Sequence, residues 1–452
     1  MTTAPARARS RWRHAPDAHE RSPNDGRGRG GGGAARALAW LALLGLVAVG
    51  ATIAVGAAAG PSPVVTPSSR AGFPAWFAGP LAALAPGALG KTAFWLLVFA
   101  MSALYLVVLA LLDRLGARAV LGTIVVLHAI FALAPPLLST DAFGYLAGAR
   151  AFVLAGASPY APLRDTLAGD AVLPLLVWST RPNPYGPLFT AATLPLASTG
   201  IAGGLWLLKA ATAASSLGLV AVVAATARRR GRDPVFAAVF VGLNPVVLAW
   251  VVGGAHNDTL LMLLVVGALS LVLARRELAG GAVAAAAVAV KASVGLVVPI
   301  LVLGAGRRRR ALVGAVLGLA AAGAVAFAVL GSSLAEFPPA LADQAALHSP
   351  NSVLHVVGKA LGLPGATPAI RAGGAVTLAL ALLVVYARTA RGADPVAAAG
   401  WASVATLLTT SWLMPWYVIW VLPLAALSPG RALRAVSLAL CAFVVGMRAS
   451  LE

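Results

Sequence analysis

Long apolar runs separated by short arginine-bearing turns pattern this chain from residue 37 onward. They fall at about 37–59, 92–112, 119–138, 203–227, 235–252, 258–274, 280–305, 311–330, 372–388, 396–412, 414–428 and 432–447. A hydrocarbon core about 30 Å thick is crossed by about 20 apolar residues in a helix, so the runs predict membrane helices. Two places break the alternation. Residues 186–198 are apolar but short, and a full span there would put Arg228, Arg229, Arg230 and Arg232 on the wrong side, so a re-entrant or interfacial helix is expected. The run 280–305 has Arg275 and Arg276 before it and Arg307 to Arg310 after it. It must return to the side it left, as a helical hairpin. Arms of about 12 residues rise about 18 Å, which carries Lys291 past the middle of the membrane.

The charges orient these segments. Arg114 and Arg118, the arginines at 228–232, 275–276 and 307–310, Arg388 with Arg391, and Arg431 with Arg434 all fall on one side in a single topology. Basic turns mark the cytoplasmic face. Asp141, Asp165, Asp170, Asp258, Glu336 and Asp343 then lie on the opposite side, as do two long loops, 139–185 and 331–371. Loops of that length are frequently functional.

Composition agrees. Hydrophobic residues make up 60% and charged residues 11%, with mean hydropathy +0.88, far from the balance of a soluble domain. The net charge of +20 sits in the N-terminal tail and the cytoplasmic turns, which argues against a nucleic-acid partner. A single cysteine, Cys441, rules out an intrachain disulfide. Six histidines with no HExxH pattern leave no protein-only zinc site, and no residue is assigned to a metal. Residues 1–36 are rich in Arg, Gly, Ala and Pro and predict a disordered basic cytoplasmic tail. The following apolar run reads as an uncleaved signal anchor with its N-terminus inside. Residues 37–448 then form one all-α, polytopic transmembrane bundle of about 12–13 membrane segments.

Several polar positions carry candidate chemistry. Asp141 follows Ser139 and Thr140 just outside the apolar run, with Tyr145 one helical turn on. A partly desolvated carboxylate with a raised pKa suits a general base taking a proton from a hydroxyl. An aspartate there also suits a helix N-cap, and both roles can coexist. Two tyrosine–proline turns, 156–160 with Tyr160 and 182–187 with Tyr185, offer rigid apolar plates for a sugar ring, or an interfacial aromatic belt. His256, Asn257 and Asp258 crowd one external turn. They suit a phosphate-bridging divalent cation, an acceptor hydroxyl, or a loop in which Asp258 caps the next helix. Lys291, deep in the membrane, calls for a counter-ion: a lipid phosphate, or a protein carboxylate. Lys209 reads as snorkelling to the outer surface. Trp416 and Tyr417 sit in an aromatic cluster at a further external turn, suited to a belt or to a groove for a polyprenyl chain.

Taken together, Asp141 to Tyr145, Ser158-Pro159-Tyr160, Pro184 to Leu188, His256-Asn257-Asp258, Val290-Lys291 and Pro415-Trp416-Tyr417 running on to Pro423 resemble one family. It is that of the integral-membrane glycosyltransferases of the C superfamily (GT-C), and within it the actinobacterial polyprenol-phosphomannose-dependent alpha-1,6-mannosyltransferases that build lipomannan. The resemblance implies an inverting hexosyltransferase of the plasma membrane. Mannose would pass from a polyprenyl monophosphate to a glycan or lipoglycan hydroxyl on the extracytoplasmic face of the cell envelope. It maps the catalytic carboxylate onto Asp141. Lys291, with Arg181 or His256, would hold the donor phosphate. Tyr145, Tyr160, Tyr185, Asn257, Asp258, Trp416 and Tyr417 would line the substrate site. Some members carry an acidic pair in the first external loop or use a divalent cation; here Ala142 follows Asp141. A transporter or flippase of lipid-linked sugar is the alternative. Such a protein more often shows internal symmetry, and no internal repeat stands out.

Overall fold

The structure, a computed structural model, describes residues 29–65 and 72–451. Of the tail expected over residues 1–36, residues 1–28 lie outside the described residues. The first helix, α1 (Arg29–Ala58), begins inside the stretch expected to be disordered. Ala34, Ala35 and Arg36 are strong helix formers, and a helix nucleated in the apolar run propagates through them at little cost.

The bundle continues with α2 (Lys91–Ala110), α3 (Ala117–Leu133), α4 (Asp141–Val153), α5 (Pro187–Thr193), α6 (Gly200–Arg229) and α7 (Pro234–Gly242). Next come α8 (Asp258–Leu273), α9 (Glu277–Val290), α10 (Val298–Gly304), α11 (Arg308–Leu330), α12 (Phe337–Ala345) and α13 (Val353–Ala360). The last four are α14 (Pro368–Ala390), α15 (Pro395–Thr409), α16 (Leu422–Leu427) and α17 (Arg431–Leu451). No strand of a sheet occurs among the described residues, so the protein is an all-α, polytopic membrane bundle. Six helical stretches are long and apolar enough to cross a membrane, and seven shorter apolar ones accompany them.

Three apolar runs are broken, one of them 414–428, which divides into a 3₁₀ stretch, Pro415–Trp420, and a short helix, Leu422–Leu427. The run 235–252 stops at Gly242, turns at Asn244-Pro245 and resumes as a wide π-turn over Val247–Val252; proline cannot continue the α7 ladder. The run 280–305 divides at Lys291, whose backbone is extended (φ −156°), before a 3₁₀ stretch, Ala292–Val297, leads into α10. Its two ends meet, since a Cβ on Gly306 would overlap the Arg275 guanidinium. The hairpin deduced from the charges is therefore present. Small residues let its first arm sit directly on α11. A Cβ on Gly281 would come 2.0 Å from Ala311 O, and one on Gly314 2.0 Å from Leu278 O. Such close backbone approach is a common way to hold helices together in lipid.

The basic turns gather at one end of the bundle. Arg230 pairs with Asp394 at 2.8 Å, Arg308 donates to Ala390 O at 2.8 Å, and Arg434 lies over the Phe236 ring at 5.2 Å. Helix α8 starts at Asp258 and ends just before Arg275, a rise of about 24 Å. Asp258 therefore lies at the opposite end from the arginines, and so does Lys291 at the tip of the hairpin.

Candidate active site

Five segments converge at that opposite end: the start of α4, the turn before α5, the turn between the π-stretch and α8, the break at Lys291 between α9 and α10, and the broken helix over 415–427. Asp141 is the first residue of α4, and its N–H donates to Ser139 Oγ at 3.1 Å. No side chain caps this helix. The Asp141 carboxylate instead turns inward, accepts the Tyr185 hydroxyl at 2.7 Å and stands 3.2 Å from His256 Nδ1. The imidazole is close enough for an ion pair but out of line for a hydrogen bond. Its ring is fully buried and stacks on Trp416, with centroids 3.8 Å apart and planes at 20°.

The electrostatics of Asp141 differ from the sequence expectation. Burial by itself raises its pKa. The His256 ring, the Tyr185 hydroxyl and, farther off, the Lys291 cation outweigh that effect and hold the carboxyl below its ordinary 3.8. The raised pKa expected for a lone interfacial carboxylate is thus corrected. Favourable partners dominate desolvation here, and the group is a carboxylate at neutral pH. Tyr185 is pushed well above 10.0 by burial and by the Asp141 charge, so its hydroxyl stays a donor.

Asp258 joins the same cluster through Lys291 and Trp420. It does not cap α8 with its side chain. Its fully buried carboxylate accepts Lys291 Nζ at 2.8 and 3.0 Å and Trp420 Nε1 at 2.7 Å. Of the two counter-ions left open for Lys291, the protein carboxylate is the one in contact. The Lys291 ammonium also lies 5.0 Å from the Tyr417 ring centre and 6.0 Å from that of Tyr185. Gly186 sets this meeting. Its N–H donates to Val290 O at 3.0 Å, and a Cβ there would come 2.2 Å from Ala289 O. Tyr145 ties the halves together: its oxygen accepts the Asn257 N–H at 3.3 Å and its ring meets Tyr185 edge-on at 4.6 Å. The Asn257 amide is buried, with neither its nitrogen nor its oxygen hydrogen-bonded, and His256 Nε2 is likewise unpaired.

Asp141, Tyr145, Tyr185, His256, Asn257, Asp258, Lys291, Trp416 and Tyr417 thus form one mostly buried cluster. Two expected members do not join it. Tyr160 packs on Phe337 at 5.5 Å in a separate small core under α12. Arg181 pairs with Asp343 at 3.0 Å, both about two-fifths exposed. Trp420 belongs to the site and was missed. In a 3₁₀ helix residues i and i+3 eclipse, which stacks Trp420 on Tyr417 at 4.4 Å and 19°; the tyrosine–tryptophan spacing was the available signal. Lys209 is also corrected: it does not snorkel but is fully buried, with Nζ 2.8 Å from Gly253 O. Asp141 Oδ2 is committed to Tyr185 and His256, both Asp258 oxygens are committed to Lys291 and Trp420, and no three metal-ligating side chains converge among the described residues. That donor set does not fit a divalent cation.

The fold and the site define a polytopic membrane protein with a carboxylate-centred cluster of side chains at the end away from its basic turns. The chain belongs to the alpha-(1->6)-mannopyranosyltransferase family: residues 42–307 match the model of that family's N-terminal domain. Residues 351–449 match the MptB C-terminal domain. Relatives include Alpha-(1->6)-mannopyranosyltransferase A of Mycobacterium tuberculosis, 31% identical over 187 residues, 40% of this chain and 36% of that protein. The protein of the same name from Corynebacterium glutamicum is 29% identical over 178 residues, 37% of this chain and 35% of that one. The aligned segment therefore spans about a third of the length of these curated relatives. No solved structure matches.

Proposed function

We propose that this protein is a plasma-membrane mannosyltransferase. It would move mannose, with inversion, from a polyprenyl-phosphate donor to a hydroxyl of an alpha-1,6-linked mannan or lipomannan on the extracytoplasmic face. The observation that carries this reading is the ionised Asp141 carboxylate, its side chain 18% exposed, set in a cluster of aromatic rings and one lysine. Asp141 takes the proton of the acceptor hydroxyl as that oxygen bonds to the anomeric carbon. The bond from that carbon to the phosphate oxygen breaks on the far side, and polyprenyl phosphate leaves with the electron pair. A phosphate is already a good leaving group, so no acid is required. Inversion is supported by Asp258, the second carboxylate, whose oxygens are engaged and fully buried. It is unsuited to act as the nucleophile of a double displacement.

The Lys291 ammonium, held by Asp258, faces the donor phosphate with its remaining N–H, and His256 Nε2 assists. Arg181 is withdrawn from that role by Asp343. An orphaned buried polar atom costs about 1–3 kcal/mol, which supports the Asn257 amide as the reader of a sugar hydroxyl. Tyr185, Trp416 and Tyr417 supply flat surfaces for the sugar. The extracytoplasmic assignment rests on the arginine turns at the far end.

Asp141→Asn tests the reading. The amide keeps an acceptor for Tyr185 and removes the base. General-base catalysis contributes about 10²–10⁴-fold, so kcat should fall by that factor while the protein purifies as a folded species. Wild-type transfer by Asp141→Asn, measured with radiolabelled polyprenyl-phosphate mannose, would remove Asp141 from the reaction.

A further inference from the structure

We infer that Lys209 is a positioning residue of the active site: its buried amine clamps the Gly253 carbonyl and fixes how the adjoining turn presents His256 to Asp141. The inference rests on the reading of Asp141 as base and deepens it.

Lys209 is the tenth residue of α6, about 14 Å from the helix start, and it is fully buried. A lysine near a membrane surface ordinarily extends its amine to water. Here the chain turns inward, and no carboxylate forms an ion pair with it among the described residues. A buried lysine amine with only a carbonyl for company is costly, and the carbonyl it has chosen is singular. Gly253 O also accepts the Leu137 N–H at 3.1 Å. One oxygen therefore joins α6, the segment leading to Asp141 and the turn leading to His256.

Both of those segments are strained. Leu138, three residues before Asp141, has φ +59°, and Ala255, directly before His256, has φ +57°. Left-handed backbone at residues other than glycine persists only where surroundings over-determine it. The π-turn ends with Gly253 N donating to Leu248 O, one residue farther back than in an α-helix, so the turn is not held by an ordinary helical ladder. The Lys209 amine is the hydrogen-bonded tie that holds both strained segments to one point.

The test uses the full-length protein in detergent or proteoliposomes, with polyprenyl-phosphate mannose as donor. Lys209→Met keeps the apolar stem and deletes the amine. A displacement of about 1 Å between catalytic groups costs on the order of 10²-fold in rate, so kcat should fall by about that factor with the donor KM within about twofold. In Lys209→Ala, propylammonium should restore kcat and methylammonium should not, because only the longer amine spans the vacated stem. Combined with Asp141→Asn, Lys209→Met should add little further loss, since both act through the same pair. Unchanged kcat in a folded Lys209→Met would overturn the inference. A raised donor KM with unchanged kcat would also overturn it, by making the lysine a phosphate ligand. Should Lys209→Met fail to fold, the amine series decides: recovery that follows alkyl length sustains the clamp, and no recovery sinks it. Activity of Asp141→Asn alone would refute the base assignment and leave the amine result standing separately.

Discussion

The Lys291–Asp258 pair separates a structural lysine from one that holds the donor. Asp258 is fully buried and the Lys291 side chain is 14% exposed, with contacts of 2.8 and 3.0 Å. Removing one partner of a buried pair strands the other charge at a cost of about 3–5 kcal/mol, whereas replacing both is often close to neutral. Lys291→Met alone should therefore lower the apparent melting temperature sharply and remove transfer. Adding Asp258→Asn removes the stranded charge and leaves an oxygen to accept Trp420 Nε1, which donates at 2.7 Å in the native site. The double variant should recover most of the lost thermal stability. If the ammonium also contacts the donor phosphate, a charged hydrogen bond worth about 1.5–3 kcal/mol is still missing. The donor KM should then stay raised about 10- to 150-fold at 1.36 kcal/mol per tenfold. The assay pairs a thermal-shift measurement in detergent with initial rates against donor concentration at saturating acceptor. A double variant with restored stability and a wild-type donor KM would show that Lys291 serves Asp258 alone, and the phosphate role would be withdrawn.

The remaining predictions probe the cluster from two other directions. His256 and Tyr185 both depress the Asp141 pKa, so His256→Gln and Tyr185→Phe should each raise it and move the acid limb of kcat/KM to higher pH. In the native protein, activity and the stability contributed by ionised Asp141 persist as pH falls toward 3.8 and are lost only below it; a pH profile unmoved by either substitution would contradict the electrostatic account. Gly186→Ala places a methyl about 2.2 Å from Ala289 O and should destabilise by about 1–3 kcal/mol while weakening donor use. Native activity and an unchanged melting temperature would show that this close approach does not set the site.

Much of this architecture is legible in the chain because lipid imposes a blunt rule on charge. The arginine turns alone demanded a hairpin at 280–305, and the break at Lys291 with its ends meeting at Arg275 and Gly306 is that hairpin. Asp141, Tyr185, His256 and Lys291 stood out because polar groups are expensive at those depths. What the chain hides is who meets whom. Asp258 and Lys291 are 33 positions apart, and Tyr185 and Asp141 are 44 apart; no local spacing reports such pairs. The Asp141 pKa was misjudged for that reason, since its direction depends on partners contributed by two distant turns. Lys209 was misread because a solitary lysine one or two turns into a span has a cheap default, and only the fold shows the carbonyl that overrides it. The two strained residues, Leu138 and Ala255, carry no sequence signature at all: leucine and alanine are ordinary anywhere. Their backbone becomes meaningful only once Gly253 O is seen to bind both segments. The residues hardest to find from sequence are therefore those that aim the carboxylate and the imidazole at each other, because that work is done by backbone geometry, and an ordinary side chain does nothing to advertise it.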